Sequence, residues 1–284
     1  MTSPSVIAVD VGGTKTDVAL VAPDGTVSFR SRLNTVELGP RLFDAIVDAV
    51  ATIDTPSTTP IGVGCGGPME PGGETVSPLN IAAWRNFPLL TELARATGRA
   101  VTIDNDAKAL ALAEGRFGGA TGLSNYVSMV VSTGVGGGIV LDGKLLDGAL
   151  GNAGHIGHIV VNPGGTQCGC GVLGCLEAEA SGTGIRRQTG TDAAQASELV
   201  RARTGVMVGR AVASVCSLLD VTQFFVAGSV ALGFGEPFFR AANEEALAKV
   251  GLSFARAVEI HPSQLGGDGP ILGAACVAWR KLGL

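Results

Sequence analysis

The chain has 284 residues, 46% hydrophobic and 16% charged, a balance that excludes a disordered protein and leaves room for one large domain or two of medium size. Its net charge of -5 comes with no basic cluster, which argues against a nucleic-acid or anionic-membrane partner. No unbroken apolar run reaches the ~18 residues of a membrane-spanning helix, and residues 1–5 lack the pattern of a secretory signal, so a cytoplasmic protein is expected.

In chain order, the first predicted element is a hairpin. Val6-Ile-Ala-Val-Asp10-Val and the β-rich run from Lys15 to Leu20 flank a tight Gly12-Gly13 turn. Residues 41–53 carry apolar side chains at helical spacing, residues 61–67 read as a short buried strand, and residues 89–97 suggest a helix. Residues 100–104 form another strand, which ends at Asn105-Asp106 and opens a helix to about Arg116. Residues 126–141 then repeat the opening plan: strand, glycine-rich turn, strand. A loop from 164 to 174 carries cysteines and glycines, and residues 193–219 are largely helical. A strand over 224–227 ends in Gly228-Ser229, and residues 271–281 make a final helix. Strands alternating with helices give an α/β protein. The two glycine hairpins, half a chain apart, point to two similar α/β halves, although no line-by-line repeat joins them.

Gly-rich turns let backbone N–H groups approach an anion without Cβ atoms in the way. Asp10 ends its strand where a carboxylate can hold Mg²⁺ through water, and Thr14 and Lys15 add phosphate donors. Ser132-Thr133-Gly134-Val-Gly136-Gly137-Gly138 offers the same from a second turn. Neither matches a Walker loop, and a strand rather than a helix follows Gly138, which excludes a dinucleotide fingerprint. Taken singly, each turn reads equally well as an ordinary hairpin.

Six cysteines are present, and three of them crowd into eight residues. His158-x₉-Cys168-x-Cys170-x₄-Cys175 supplies three thiolates and one imidazole, the donor set of a closed, structural zinc site. The competing readings are a disulfide with one idle thiol, unusual in a reducing compartment, and buried free cysteines. Cys65, Cys216 and Cys276 sit singly in small or apolar stretches and read as core.

Asp10-Val-Gly-Gly-Thr-Lys15 and Ser132-Thr-Gly-Val-Gly-Gly-Gly138 resemble the two phosphate loops of the actin-like sugar kinases, specifically the ROK family of repressors, open reading frames and kinases. The resemblance covers essentially the whole chain. It implies an actin-like ATPase (ribonuclease H-like) fold with two α/β domains around a cleft. Residues 1–107 plus 271–284 would form the small domain, and residues 108–270 the large one with the zinc loop. It further implies ATP and Mg²⁺ at Asp10, Gly12, Gly13, Thr14, Lys15, Thr133, Gly134, Gly136, Gly228 and Ser229. A sugar would be held by Gly67, Asn80, Asn105, Asp106, His155, His158 and Glu177. Asp106 would take the proton of the attacking hydroxyl, with Asp104 left open as a local competitor. The family carries the same cysteine loop after Gly-His, so His158, Cys168, Cys170 and Cys175 would hold zinc. Family members are often homodimers or homotetramers.

Two departures stand out. Glucose-using members usually have Glu where this chain has His155. A neutral imidazole offers one donor and one acceptor and no charge, which suits an acetamido group. The stretch from Ala153 to His158 resembles that of N-acetylmannosamine kinases. The expected reaction is therefore 6-phosphorylation of an N-acetylhexosamine, N-acetylmannosamine first, with N-acetylglucosamine or glucose behind it. ATP is the expected donor, and polyphosphate stays open. Gly66-Gly67-Pro68 also departs from the family's common Pro-Gly. The rival of another class, a sugar-responsive repressor, is disfavoured because the hairpin begins at Val6 and leaves no space for a helix-turn-helix.

Overall fold

The computed structural model describes residues 4–78 and 81–284. The chain opens with strands β1 (Val6–Val11), β2 (Lys15–Val21) and β3 (Val27–Asn34), the one-turn helix α1 (Thr35–Leu38) and helix α2 (Leu42–Ala51). Strand β4 (Ile61–Cys65), helix α3 (Leu89–Thr97), strand β5 (Val101–Asn105) and helix α4 (Asp106–Phe117) follow. A second hairpin comes next, β6 (Tyr126–Val131) and β7 (Val135–Leu141), with the short β8 (Lys144–Leu145). Helices α5 (Leu176–Ala180), α6 (Gly182–Thr189) and α7 (Glu198–Leu219) lead to strand β9 (Gln223–Ala227). Helices α8 (Ser229–Phe234) and α9 (Glu236–Lys249), strand β10 (Glu259–Pro262) and helix α10 (Gly269–Lys281) complete the order.

The strands form two five-stranded sheets, ordered β3-β2-β1-β4-β5 and β10-β9-β6-β7-β8. In each, the first three strands are joined antiparallel by short turns, and the fourth and fifth add parallel on the other side of the first. Counted from its own first strand, each sheet therefore has the order 3-2-1-4-5. Parallel pairs need crossovers long enough for a helix, which is why helices come only after the third strand of each half. The twofold echo expected from the glycine turns is present in the topology.

By contacts the chain divides into two compact units. The first comprises Met1–Phe117, Asp147–Ala153 and Leu265–Leu284, and the second Gly118–Leu146 and Gly154–Gln264. The boundaries expected at 107/108 and 270/271 fall inside α4 and α10. These two helices stay whole in the first unit because they cross closely: a Cβ at Gly273 would lie 2.8 Å from the Ala109 carbonyl carbon. The excursion Asp147–Ala153 joins them through Asp147, which pairs with Lys108 at 2.9 Å and Arg280 at 2.7 Å.

The first unit's core packs Ile7, Val9 and Val63 of the sheet against Leu42 and Ile46 of α2 and Leu89 and Leu93 of α3. Trp279 of α10 is fully buried and donates its indole N–H to the Pro4 carbonyl at 2.8 Å. In the second unit α7 lies at the centre. It is, among the described residues, the one helix long and apolar enough to cross a membrane. Met207, Val208, Ala211 and Val212 of that helix belong to one core with Val127, Met129, Phe224 and Val226 of the sheet. Gly205 and Gly209 bring α7 against the α9 backbone at Phe238 and Ala242, closer than a Cβ permits.

Candidate active site

In the first unit, β1, β4 and β5 run parallel with Asp10, Gly64 and Asp104 in register, then Val11, Cys65 and Asn105. Their C-terminal ends are where an α/β sheet gathers reactive groups. Alternate glycines run along β4 and just past its end. A Cβ at Gly62 would run into the Ala274 carbonyl of α10, one at Gly64 would sit 3.8 Å from Asp10 Oδ1, and one at Gly66 3.8 Å from Asp106 Oδ2. Asp10 is buried, and that burial, with the charges of Asp106 and Asp17, pushes its carboxyl up to about 7 against the partial relief from Lys15 and Arg30. A buried acid crowded by a second one gains most from a hard cation, and so few oxygen donors leave most of a Mg²⁺ shell to water and phosphate. The donor set fits that ion. Asp17 has its own counterion, since Arg32 holds both its oxygens at 2.8 Å.

The first glycine turn is tightly fastened. Gly12 N–H donates to the Lys15 carbonyl at 3.1 Å, and a Cβ on Gly12 would lie 2.7 Å from that oxygen. Thr35 fixes the turn by donating its hydroxyl to Gly12 O at 2.9 Å and its N–H to Thr14 O at 3.0 Å. Because the Gly12 amide is engaged inside the hairpin, donors to an anion come from Gly13, Thr14 and Lys15, of which the last two are exposed.

The two aspartates at this strand end have different partners. Asp104 is ion-paired with the buried Lys108 at 2.9 Å and with Arg280 at 3.3 Å. Asp106 is exposed at the start of α4, accepts the Ala107 N–H at 2.8 Å and raises the Asp10 carboxyl by its charge. Asn105 caps α4 by accepting the N–H groups of Ala107 at 3.0 Å and Lys108 at 3.4 Å. Its amide Nδ2 lies toward Gly67, 3.7 Å from where a Cβ there would be. Asn80, expected at the sugar, lies outside the described residues.

In the second unit the turn Ser132–Gly134 is closed by Ser132 N–H to the Gly134 carbonyl at 2.9 Å. Three pieces of chain converge on it. Glu177 accepts the Val135 N–H at 3.0 Å, and a Cβ on Gly134 would lie 2.8 Å from the same Oε2. At the start of α6, Gly182 N–H donates to Ser132 O at 2.7 Å and the Thr183 hydroxyl to Thr133 O at 2.9 Å. Ser229 shares a 3.0 Å hydroxyl contact with Ser132, and Gly228, at φ +100°, brings its Cα against the Val131 carbonyl. The first amides of α6 are spent on fastening this turn, that of Gly182 on Ser132 O and that of Thr183 on Thr133 O. Gly136 lies on β7 opposite Val130.

Gly154 to His158 lie over β7, where Gly154 and Gly157 approach the carbonyls of Gly137 and Val135 closer than a side chain allows. This leaves His155 and His158 exposed with their rings 6.1 Å apart. The ligand atoms of His158, Cys168, Cys170 and Cys175 all lie within 4.8 Å of one another. Cys168 Sγ is 3.8 Å from His158 Nδ1, and Cys170 Sγ is 3.7 Å from Cys175 Sγ. Thiolates ~2.3 Å from a tetrahedral zinc stand about 3.8 Å apart, so the spacing fits that ion. Helix α5 starts straight after Cys175, which ties Glu177 to the metal loop.

The residues expected at the nucleotide and sugar thus fall into two sets, each gathered within its own unit. Sequence reasoning passed over several that build them: the alternating glycines of β4, Thr35 behind the first turn, and Gly182-Thr183 behind the second. Only the glycines left a signal, a period of two inside a strand.

Residues 6–281 match the family model described as the ROK family. The glucokinase of Thermotoga maritima is 33% identical over 98% of this chain and 98% of its own. The N-acetylmannosamine kinase of Escherichia fergusonii is also 33% identical, over 96% of this chain and 98% of its own. The crystal structure of a ROK hexokinase from Thermus thermophilus matches with a TM-score of 0.86 at 30% identity, covering 98% of this chain and 99% of that one. With both sheets, both glycine hairpins and the metal loop inside the matched span, this chain belongs to the ROK family and has the actin-like ATPase fold.

Proposed function

We propose that this protein is an ATP-dependent kinase that phosphorylates the 6-hydroxyl of an N-acetylhexosamine, N-acetylmannosamine first. The observation that carries the reading is the acid pair of the first unit: a buried Asp10 held near neutrality of pKa by its surroundings, with Asp106 close by. One carboxylate suits the metal of a nucleotide and the other a hydroxyl proton. Similar relatives acting on glucose and on N-acetylmannosamine keep the choice of acceptor inside the hexose and N-acetylhexosamine class.

In this reading Asp106 accepts the proton of the sugar hydroxyl as its oxygen bonds to the γ-phosphorus and the bond to the β-phosphate oxygen breaks, releasing ADP. Asn105, held as a helix cap, offers its amide to a neighbouring hydroxyl, with Gly67 and Asn80 on the same sugar. Gly13, Thr14 and Lys15 bind phosphate oxygens from one turn, and Thr133, Gly134 and Gly136 do so from the other. Gly228 and Ser229 line the nucleoside. Asp10 would hold Mg²⁺, which would supply positive charge to the phosphates, and His158, Cys168, Cys170 and Cys175 would hold zinc at the loop that presents Glu177 and the histidines. His155, a donor and acceptor without the charge of a glutamate, favours an acetamido carbonyl over a second hydroxyl. Cytoplasmic ATP and a homodimeric or homotetrameric assembly complete the proposal.

The test is direct quantification of the sugar phosphate formed from glucose, mannose, N-acetylglucosamine and N-acetylmannosamine, with ATP and with polyphosphate as donors. The proposal expects the highest kcat/KM for N-acetylmannosamine with ATP. A preference for glucose would overturn the role given to His155, and no turnover of any sugar would overturn the kinase reading.

A further inference from the structure

The helix that carries Glu177 holds a second acid that the reaction above does not use. Glu179 of α5 is fully buried. Its Oε1 accepts the Thr166 N–H at 2.5 Å, and its Oε2 is ion-paired with Arg203 of α7. Arg203 also donates to the Glu179 carbonyl at 3.2 Å, and Asn162 adds a side-chain hydrogen bond to the carboxylate. Gly165 packs so closely that a Cβ there would fall on the carboxylate and, at 2.5 Å, on Asn162 Nδ2. A buried carboxylate is tolerated when its oxygens are satisfied, and here both are.

The partners share one location. Asn162, Gly165 and Thr166 form the entry of the loop that carries Cys168 and Cys170, and α5 is its exit, beginning straight after Cys175. Backbone bonds close the same base from the other side, with Gly174 N–H to Thr166 O at 2.9 Å and Asn162 N–H to Gly174 O at 3.2 Å. Ala178, between the two glutamates, packs with Cys168 and Cys175. One carboxylate therefore spans the entry and the exit of the metal loop.

We propose that Glu179, braced by Arg203, is a positioning residue that clamps the base of the cysteine loop to α5, so that the metal ligands and Glu177 keep one mutual geometry. Loss of an ion pair that served stability alone would lower the melting temperature and leave metal retention in the folded protein unchanged. A clamp controls how fast the loop opens.

The experiment follows zinc transfer from the purified, zinc-loaded full chain to a chromogenic chelator, well below the melting temperature, for the native protein, Glu179→Gln and Arg203→Met. Residues that orient metal ligands typically alter affinity about 10–100-fold, and release from Glu179→Gln should speed up within that range. Arg203→Met, which keeps the apolar stem, should move the same way by less, and the Thr166 amide should exchange faster with deuterium in both. Release no faster than from the native protein, in a folded variant, would overturn the proposal; if Glu179→Gln does not fold, Arg203→Met decides by the same criterion. The consequence for sugar rests on the kinase reading: KM for the sugar should rise more than kcat falls. Loss of that reading would show as an inactive native protein and would leave the zinc measurement decisive.

Discussion

The β1–β2 hairpin and the β6–β7 hairpin share a plan and differ in charge. Each has a six-residue first strand and a three-residue turn, and each lies in a sheet of the same strand order. The next-to-last residue of the first strand is Asp10 in one, paired across to Asp17, and Val130 in the other, paired to Gly136. The first turn thus carries acid in its own strand and is braced by a threonine. The second has none there and takes its carboxylate from Glu177 of a distant helix. The same backbone frame occurs twice with its charge divided: two aspartates near the first turn, and at the second a glutamate and the start of α6.

Substitutions that break the division should have unequal effects. Asp106→Asn is expected to have the largest, a fall in kcat of about 10²–10⁴-fold with sugar binding still measurable by calorimetry, as for the loss of a general base. Near-native turnover would move that role to another group.

Asp10→Asn should also remove activity, yet stabilise the nucleotide-free protein. Its folded carboxyl titrates near 7 instead of 3.8, so the folded state resists ionising it. The penalty is absent below about pH 4, grows as pH rises to 7 and is full above, reaching up to about 4 kcal/mol for a shift of roughly three units. The variant should melt higher than the native chain at pH 8 and equally at pH 4. A gain of the same size at both would remove Asp10 as its source. No counterpart is expected at Val130.

The two turn glycines should respond differently to alanine. At Gly12 the new methyl meets the Lys15 backbone carbonyl at 2.7 Å, and at Gly134 it meets the mobile end of Glu177 at 2.8 Å. Within the ~1–3 kcal/mol typical of overpacking, Gly12→Ala should lie near the top and Gly134→Ala near the bottom. Gly134→Ala should instead raise the nucleotide KM by displacing Glu177. Equal losses in urea unfolding would show that neither neighbour yields.

The smallest effect concerns the excursion Asp147–Ala153. Arg280 and Lys108 hold the Asp147 carboxyl down to about 2 despite partial burial. The stability this gives is present above about pH 4 and is lost as pH falls toward 2. Because Asp147 is half exposed, Asp147→Asn should cost under ~1 kcal/mol at neutral pH, less in high salt. A salt-independent loss in thermal melts would point to packing instead.

Much of the fold was legible locally. The hairpins, helix Leu89–Thr97 and helix Gly269–Lys281 announce themselves through turn glycines and apolar spacing. Strands β3 and β10 escaped notice: β3 is a sheet edge with no fully buried residue, and β10 has four residues. Helix α7 shows why a run-length criterion and an average differ. Its apolar residues are interrupted by polar ones, as at Arg203-Thr204 and Arg210, so no unbroken run arises although the helix as a whole is apolar enough to span a membrane.

By itself the sequence determined the two glycine turns, the cysteine ligand set and the family, because turn geometry, metal spacing and motif order are properties of neighbouring residues. That Asp104 is held by a distant cation was decided only in three dimensions, where Arg280, 176 residues away, reaches it. The clamp at Glu179 and the link from Glu177 to the second turn arose in the same way. Long-range pairing settles which charges are satisfied, and no local pattern records it.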